Sequence, residues 1–276
     1  LLGSDNGGTV TPTDGSVTTA KIVDANITKA KLADSIDVFV GTSLSAADLG
    51  TGIHIKTGDS SVSSLSVSHD ELIVESDGNA GISILGGTSN QVGIAFGDSG
   101  DSDVGRINYT HSDNVMRFIN NGSENMTINT NGEVTKSNQP AFLVQPSSDQ
   151  NNIASDAWVT IAFGTEVYDQ NADFASNTFT APVTGKYFLH CQVRSDQPDT
   201  ASDYIWVKFV TSNRTLYGTL YDLGQLNGDP VYWNMTVSAL ADMDANDTVT
   251  VEVRSSGGTA QLDISTNTHF SGFLAC

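Results

Sequence analysis

Two cysteines, six prolines and twelve basic residues are all that this 276-residue chain holds of those types, and each scarcity removes a class of protein. Two cysteines cannot build a disulfide framework; Cys191 sits on the apolar side of an alternating segment and Cys276 ends the sequence, so both read as free thiols. Against 32 acidic residues the twelve basic ones leave a net charge of -20. The deficit is even: 7 basic and 17 acidic residues through Lys136, 5 and 15 from Gln139 onward, -10 on each side. A surface of that sign repels nucleic-acid phosphates and anionic lipids, so no nucleic-acid partner is expected. No apolar run approaches the about 18 residues that a membrane-spanning helix needs, so no membrane insertion is expected either. No charged-then-apolar leader opens the chain, which starts at Leu1 without Met; a longer N-terminal portion is expected to precede it.

Catalytic patterns are missing as well. There is no Gly-x-Ser-x-Gly elbow, phosphate loop or His-Glu-x-x-His helix, and the five histidines, His54, His69, His111, His190 and His269, are scattered. Polysaccharide cleavage needs two carboxylates held about 5 to 10 Å apart on a rigid frame, whereas Asp98, Asp101, Asp103, Asp113 and most other acids fall in turn sequences. Asp98-Ser99-Gly100-Asp101-Ser102-Asp103 concentrates oxygen ligands of the kind calcium favours, but Tyr109 stands where a helical calcium loop carries its bidentate Glu. We expect no enzyme, no cofactor and no metal site.

What the chain does have is 26 glycines and many short alternating segments, the composition of an all-β protein with frequent turns. Residues 15–34 hold a ten-residue repeat in which Val17, Ala20 and Ile22 recur as Ile27, Ala30 and Leu32, a thin apolar line that only neighbouring copies could cover. From Ile53 to Thr135 short strands are expected at Ile53–Ile55, Leu65–Val67, Leu72–Val74, Gly81–Ile84, Val92–Phe96, Arg106–Tyr109, Val115–Phe118 and Met126–Ile128, with hairpin signals at Asp77-Gly78, Asn121-Gly122 and Asn131-Gly132. Each carries too few large apolar side chains to close a core alone, and sharing one among three copies would supply it. Beyond a polar joint at 136–140, longer strands follow. In Phe179-Thr180-Ala181-Pro182-Val183-Thr184-Gly185-Lys186-Tyr187-Phe188, Pro182 cannot donate to a ladder and Gly185 can adopt positive φ, giving strand, corner, strand. Val231, Trp233, Met235, Val237 and Ala239 alternate with polar residues, as in a two-sheet sandwich.

That corner, followed by Asp244-Ala245-Asn246-Asp247-Thr248-Val249-Thr250-Val251 and closed by Phe270-Ser271-Gly272-Phe273-Leu274, resembles the globular head of complement component one-q. The resemblance runs from Gln139 to Cys276 and implies a ten-stranded jelly roll related to tumour necrosis factor, trimeric in its known members. One departure is Asn246-Asp247 where that family usually has Gly-Asp. Further upstream, the Val-Thr-x-Ala-Lys-Ile-x-Asp repeat resembles shaft segments of bacteriophage fibres. The order Gly105–Tyr109, Asp113–Phe118 and Asn121–Ile128, ending in Asn131-Gly132-Glu133-Val134, is similar to the strand-rich unit that precedes the tip of many tail fibre proteins.

These readings combine into an all-β, elongated trimeric fibre: residues 1–50 a repeat-containing shaft or neck, 51–138 a strand-rich intertwined fibre domain, and 139–276 a jelly-roll head. The implied function is attachment, in which a virion fibre, tail or capsid, presents the head to a host-surface glycan or protein. It would join other virion proteins through a preceding segment. An adhesin with the same head, or a polysaccharide-degrading tailspike, are the alternatives. Receptor contacts are expected in two loops, through Asp196, Asp199 and Asp203 in the first and Tyr221, Asp222, Gln225 and Asn227 in the second, where acids, amides and an aromatic ring suit sugar hydroxyls.

Overall fold

A computed structural model describes residues 53–276 apart from 67 and 70, with the His54 side chain also left aside. The repeat at 15–34 lies outside the described residues. The chain divides into two compact units, one ending at Ile84 and one running from Leu85 to Cys276.

In the first unit, β1 (Ile53–Lys56) and β2 (Leu72–Glu75) pair in parallel, Ile53 opposite Leu72 through Lys56 opposite Glu75. The Glu75 carboxylate is buried and accepts from the Ser60 backbone N–H at 2.8 Å, with Lys56 at 3.3 Å. Gly81–Ile84 is not a strand, and Asp77-Gly78 is followed by no strand until Gln91, so it makes a bend instead of the expected hairpin.

The second unit begins with an antiparallel meander, β3 (Gln91–Phe96), β4 (Gly105–Thr110), β5 (Val115–Asn120), β6 (Ser123–Ile128) and β7 (Val134–Thr135), hydrogen-bonded in that order. Asn121 and Gly122 both take positive φ, 51° and 70°, the mirror-image turn whose twist suits a two-residue hairpin. Among the side chains of these five strands, only Asn108 is buried.

The remainder is a sandwich of thirteen strands: β8 (Ala141–Gln145), β9 (Gln150–Ile153), β10 (Val159–Thr160), β11 (Thr165–Asp169), β12 (Phe174–Ala175), β13 (Thr178–Thr180), β14 (Gly185–Asp196), β15 (Ser202–Thr211), β16 (Thr215–Tyr221), β17 (Tyr232–Met243), β18 (Thr248–Gly257), β19 (Leu262–Ile264) and β20 (His269–Leu274). The two- and three-residue pieces β10, β12 and β19 bring the count above ten. One sheet runs β12-β13-β18-β15-β16 with β10 on β18; the other runs β11-β8-β20-β14-β19-β9 with β17 along the far side of β14.

The core is filled from alternate positions of both sheets. Phe142 stacks on Phe179 at 4.6 Å between centroids and meets Phe270 edge-on at 4.9 Å, and Phe209 packs on Phe270 at 5.3 Å. Every one of these rings is fully buried. The corner motif explains itself here. The Tyr187 hydroxyl donates to the Val183 carbonyl at 2.7 Å, and Ala181, also fully buried, exchanges backbone bonds with the turn at Asn246 and Asp247. Gly185, however, does not adopt positive φ. It is glycine because a Cβ would lie 2.6 Å from Leu274 Cδ1 and 2.8 Å from the Cys276 carbonyl oxygen. Positive φ falls instead on Asn246, at 75°, a conformation Asn tolerates.

Candidate binding surfaces of the sandwich

Each sheet turns one face to the core and one outward, and the two outward faces differ in chemistry. On the six-stranded sheet, β15 alternates Ile205, Val207 and Phe209 inward with Tyr204, Trp206 and Lys208 outward. Register then sets Tyr217 of β16 opposite Lys208, and Arg254 and Glu252 of β18 opposite Trp206 and Lys208. The result is a continuous aromatic surface. Trp206 stacks on Tyr217 at 4.4 Å, Trp158 lies 5.7 Å from Trp206 and 6.2 Å from Tyr217, and Tyr204 meets Trp206 edge-on at 6.2 Å. Lys208 Nζ sits 4.0 Å from the Trp158 ring centre and 2.9 Å from Glu252 Oε2, so a nearly buried cation supports the ring from one side while its charge is neutralised from the other. The Trp206 indole N–H donates to the Gly218 carbonyl at 3.2 Å, which fixes its plane. Gly218 itself permits β16 to press against β17, since a Cβ there would lie 2.5 Å from Val237 Cβ. Tyr217 remains 56% exposed. A rigid, half-wet aromatic platform with polar edges presents what the C–H face and hydroxyl rim of a sugar ring require.

The outward face of the seven-stranded sheet is apolar at its centre. Leu240, Phe188 and Phe273 lie side by side on β17, β14 and β20 and are 62%, 39% and 48% exposed. Beside them His190 Nδ1 lies 2.7 Å from the Ser238 hydroxyl and 5.8 Å, ring to ring, from His269. Burial, with the neighbouring His269, lowers the His190 pKa, so this imidazole stays neutral further into the acid range.

The two loops singled out in the sequence are joined to each other. Asp229 accepts from the Thr200 backbone N–H at 2.7 Å and from its hydroxyl at 2.6 Å, and Gln197 N–H donates to the Val231 carbonyl at 3.0 Å. Within them the expected contact residues have different fates. Asp199 is turned inward, 7% exposed, and accepts from the backbone N–H groups of Ala201, Thr259 and Ala260 and from the Thr259 hydroxyl. These bonds, led by the Ala260 and Thr259 N–H groups, lower its pKa to about 2. Its carboxylate is engaged chiefly in holding the backbone. Asp222 caps a 3-10 turn at Leu223–Gln225 by accepting from Gly224 N–H at 2.9 Å, and Tyr221 packs edge-on against Trp233 at 5.1 Å. Asp196 is paired with Arg194 at 3.0 Å, whose guanidinium lies 4.0 Å over the Tyr232 ring. Asp203, Gln225 and Asn227 are exposed. The aromatic platform, not foreseen from the sequence, had one available signal: β15 reads bulky on both of its faces.

Asp98 accepts from Gly100 and Asp101 N–H groups at 2.7 and 3.0 Å, and Asp103 pairs with Arg106, so the acidic run is a self-bonded turn. Among the described residues no group of three His, Cys, Asp or Glu side chains is placed to hold a metal ion. Cys191 is buried, which pushes its thiol pKa far up, and Cys276 is exposed; both are free.

Residues 141–275 match the family model described as the C1q domain. Among solved structures, the globular domain of zebrafish complement 1qA is 19% identical, covering 50% of this chain and 98% of its own with a TM-score of 0.37. Murine APRIL at pH 8.0 is 14% identical over 49% of this chain and 98% of its own, with a TM-score of 0.36. No curated protein matches the chain. The family match falls on the two-sheet sandwich, so residues 141–275 are similar in sequence to the C1q domain and form a jelly-roll-like head.

Proposed function

We propose that this chain is a homotrimeric bacteriophage fibre protein, displayed on the virion, whose C1q-like domain is the distal knob that binds a host-surface glycan. The observation that carries the binding reading is the Trp158, Trp206, Tyr217 and Tyr204 platform: large rings held on strands lose little freedom when a ligand stacks on them. Exposed Gln225, Asn227 and Asp203 in the adjoining loops offer acceptors and donors for hydroxyls. The outward Leu240, Phe188 and Phe273 patch supports association between copies, which would set three equivalent weak sites on one axis and let avidity secure attachment. Residues 1–50 and 51–138 then serve as shaft and fibre domain, with other virion proteins at the far end. The reading is of binding, without catalysis.

The test is competition for adsorption. Purified protein, incubated with host cells, should block attachment of the phage, and the Trp206→Ala and Tyr217→Ala forms should block it poorly while still eluting as the same oligomer. Equal blocking by all three forms would remove the platform from the account, and release of reducing sugar from host polysaccharide would replace it with a tailspike.

A further inference from the structure

We infer that one face of the β3–β7 meander is a contact between copies of this chain, so that three meanders enclose a core none of them has alone. Register places Ile94, Ile107, Phe118 and Met126 in one cross-strand row, flanked on the same face by a second row running from Val92 to Val134. Ile94, Phe96, Ile107 and Val134 on this face are 50%, 56%, 37% and 55% exposed. The opposite face is more polar and carries ion pairs and hydrogen bonds within the chain. Arg117 is held by Asp113 at 2.6 Å and Glu124 at 2.9 Å, and the Thr127 and Thr135 hydroxyls bond to each other.

Several facts select a second copy as the occupant. The two apolar rows carry no formal charge in a chain of net charge -20, so a charged partner finds nothing to pair with there. Five strands about 4.8 Å apart and six residues of about 3.3 Å each make a face of roughly 500 Å². That lies at the upper end of what a monomer leaves exposed, and two such faces laid together bury roughly 1,000 Å², the least that a specific interface needs. Among the described residues no layer covers this face, and a sheet's apolar face is buried against another element, so its cover must be present at fixed stoichiometry whenever the chain folds. Copies of the chain meet that condition. The number three rests on the trimer reading above; the contact itself does not.

The experiment uses the full chain with Cys276→Ser, leaving only the buried Cys191, and adds Ile107→Cys on the apolar face or Gln91→Cys on the polar one. Under mild oxidation Ile107→Cys should form covalent dimers at least about tenfold faster than Gln91→Cys, because a shared interface holds thiols at millimolar effective concentration. Phe96→Cys, at the rim, repeats the measurement with less disturbance if Ile107→Cys does not fold. Equal, slow cross-linking at both faces in a chain that light scattering shows to be trimeric would overturn the meander contact and leave the head association standing. A monomer by scattering would overturn both. If proteolytic removal of residues 1–52 speeds alkylation of Ile107→Cys, the chain's own N-terminal segment is the cover and the inference is wrong.

Discussion

Asp199→Asn should weaken the sandwich in a way that depends on pH. The carboxylate gathers three backbone N–H groups and a hydroxyl from two separate stretches, Ala201 beside it and Thr259-Ala260 some 60 positions away, so it staples the loop between β14 and β15 to the end of β18. An amide of the same shape offers one acceptor oxygen and turns its NH2 group against a donor. The pKa near 2, against an ordinary 3.8, corresponds to about 2.4 kcal/mol at about 1.4 kcal/mol per unit. Water beside this loop reduces the realised stabilisation to about 1–2 kcal/mol. For a domain of this size that is roughly 3–6 °C in melting temperature. Because the folded pKa is depressed, the stabilisation is complete above the unfolded value near 4 and is lost as pH falls toward 2. Thermal melts of both forms should therefore differ at pH 7 and pH 5, converge between about pH 4 and pH 2, and run parallel below that. A gap that is absent at neutral pH, or that stays constant from pH 7 to pH 2, would refute the staple.

Other outcomes follow from the same geometry. Leu240→Asp should leave the far-ultraviolet spectrum intact and shift the oligomer toward monomer in gel filtration, since that side chain is 62% exposed in one copy and lies at one end of the apolar row it forms with Phe188 and Phe273. Gly185→Ala should cost about 1–3 kcal/mol by urea unfolding, from overlap with Leu274 and the Cys276 carbonyl and not from backbone strain. Phe179→Ala should cost about 3–5 kcal/mol, as it empties the centre of the aromatic core. A thiol reagent should titrate one cysteine per native chain, Cys276, and two only after unfolding.

The sandwich was legible wherever long strands alternate. β14, β15, β17, β18 and β20 show a two-residue period that follows from one buried face, and the Phe-x-Ala-Pro-x-x-Gly-x-Tyr corner announced itself through residues that cannot be exchanged freely. β9, β11, β12 and β19 were not foreseen, because they are short and their pairing is set by distant partners; β12 and β19 have only two and three residues. The same non-locality hid the parallel pairing of β1 with β2. Gly185 shows how a correct residue can be assigned the wrong reason: a close approach from Leu274 is invisible in sequence, whereas positive φ is the usual guess. The two loops were singled out by composition, but composition could not say that Asp199 points inward or that Tyr221 belongs to the packing around Trp233. The aromatic platform depends on register across β10, β15, β16 and β18 and on the bulge between Trp206 and Lys208, none of which a single strand reveals.

Everything proposed for the fibre depends on the region before the head borrowing its interior from other copies, since the described part of residues 53–138 buries no hydrophobic side chain of its own. Light scattering of the purified full chain at micromolar concentration tests this most directly. A mass three times that of one chain, holding on dilution, is the predicted result; a stable, folded single chain would contradict it.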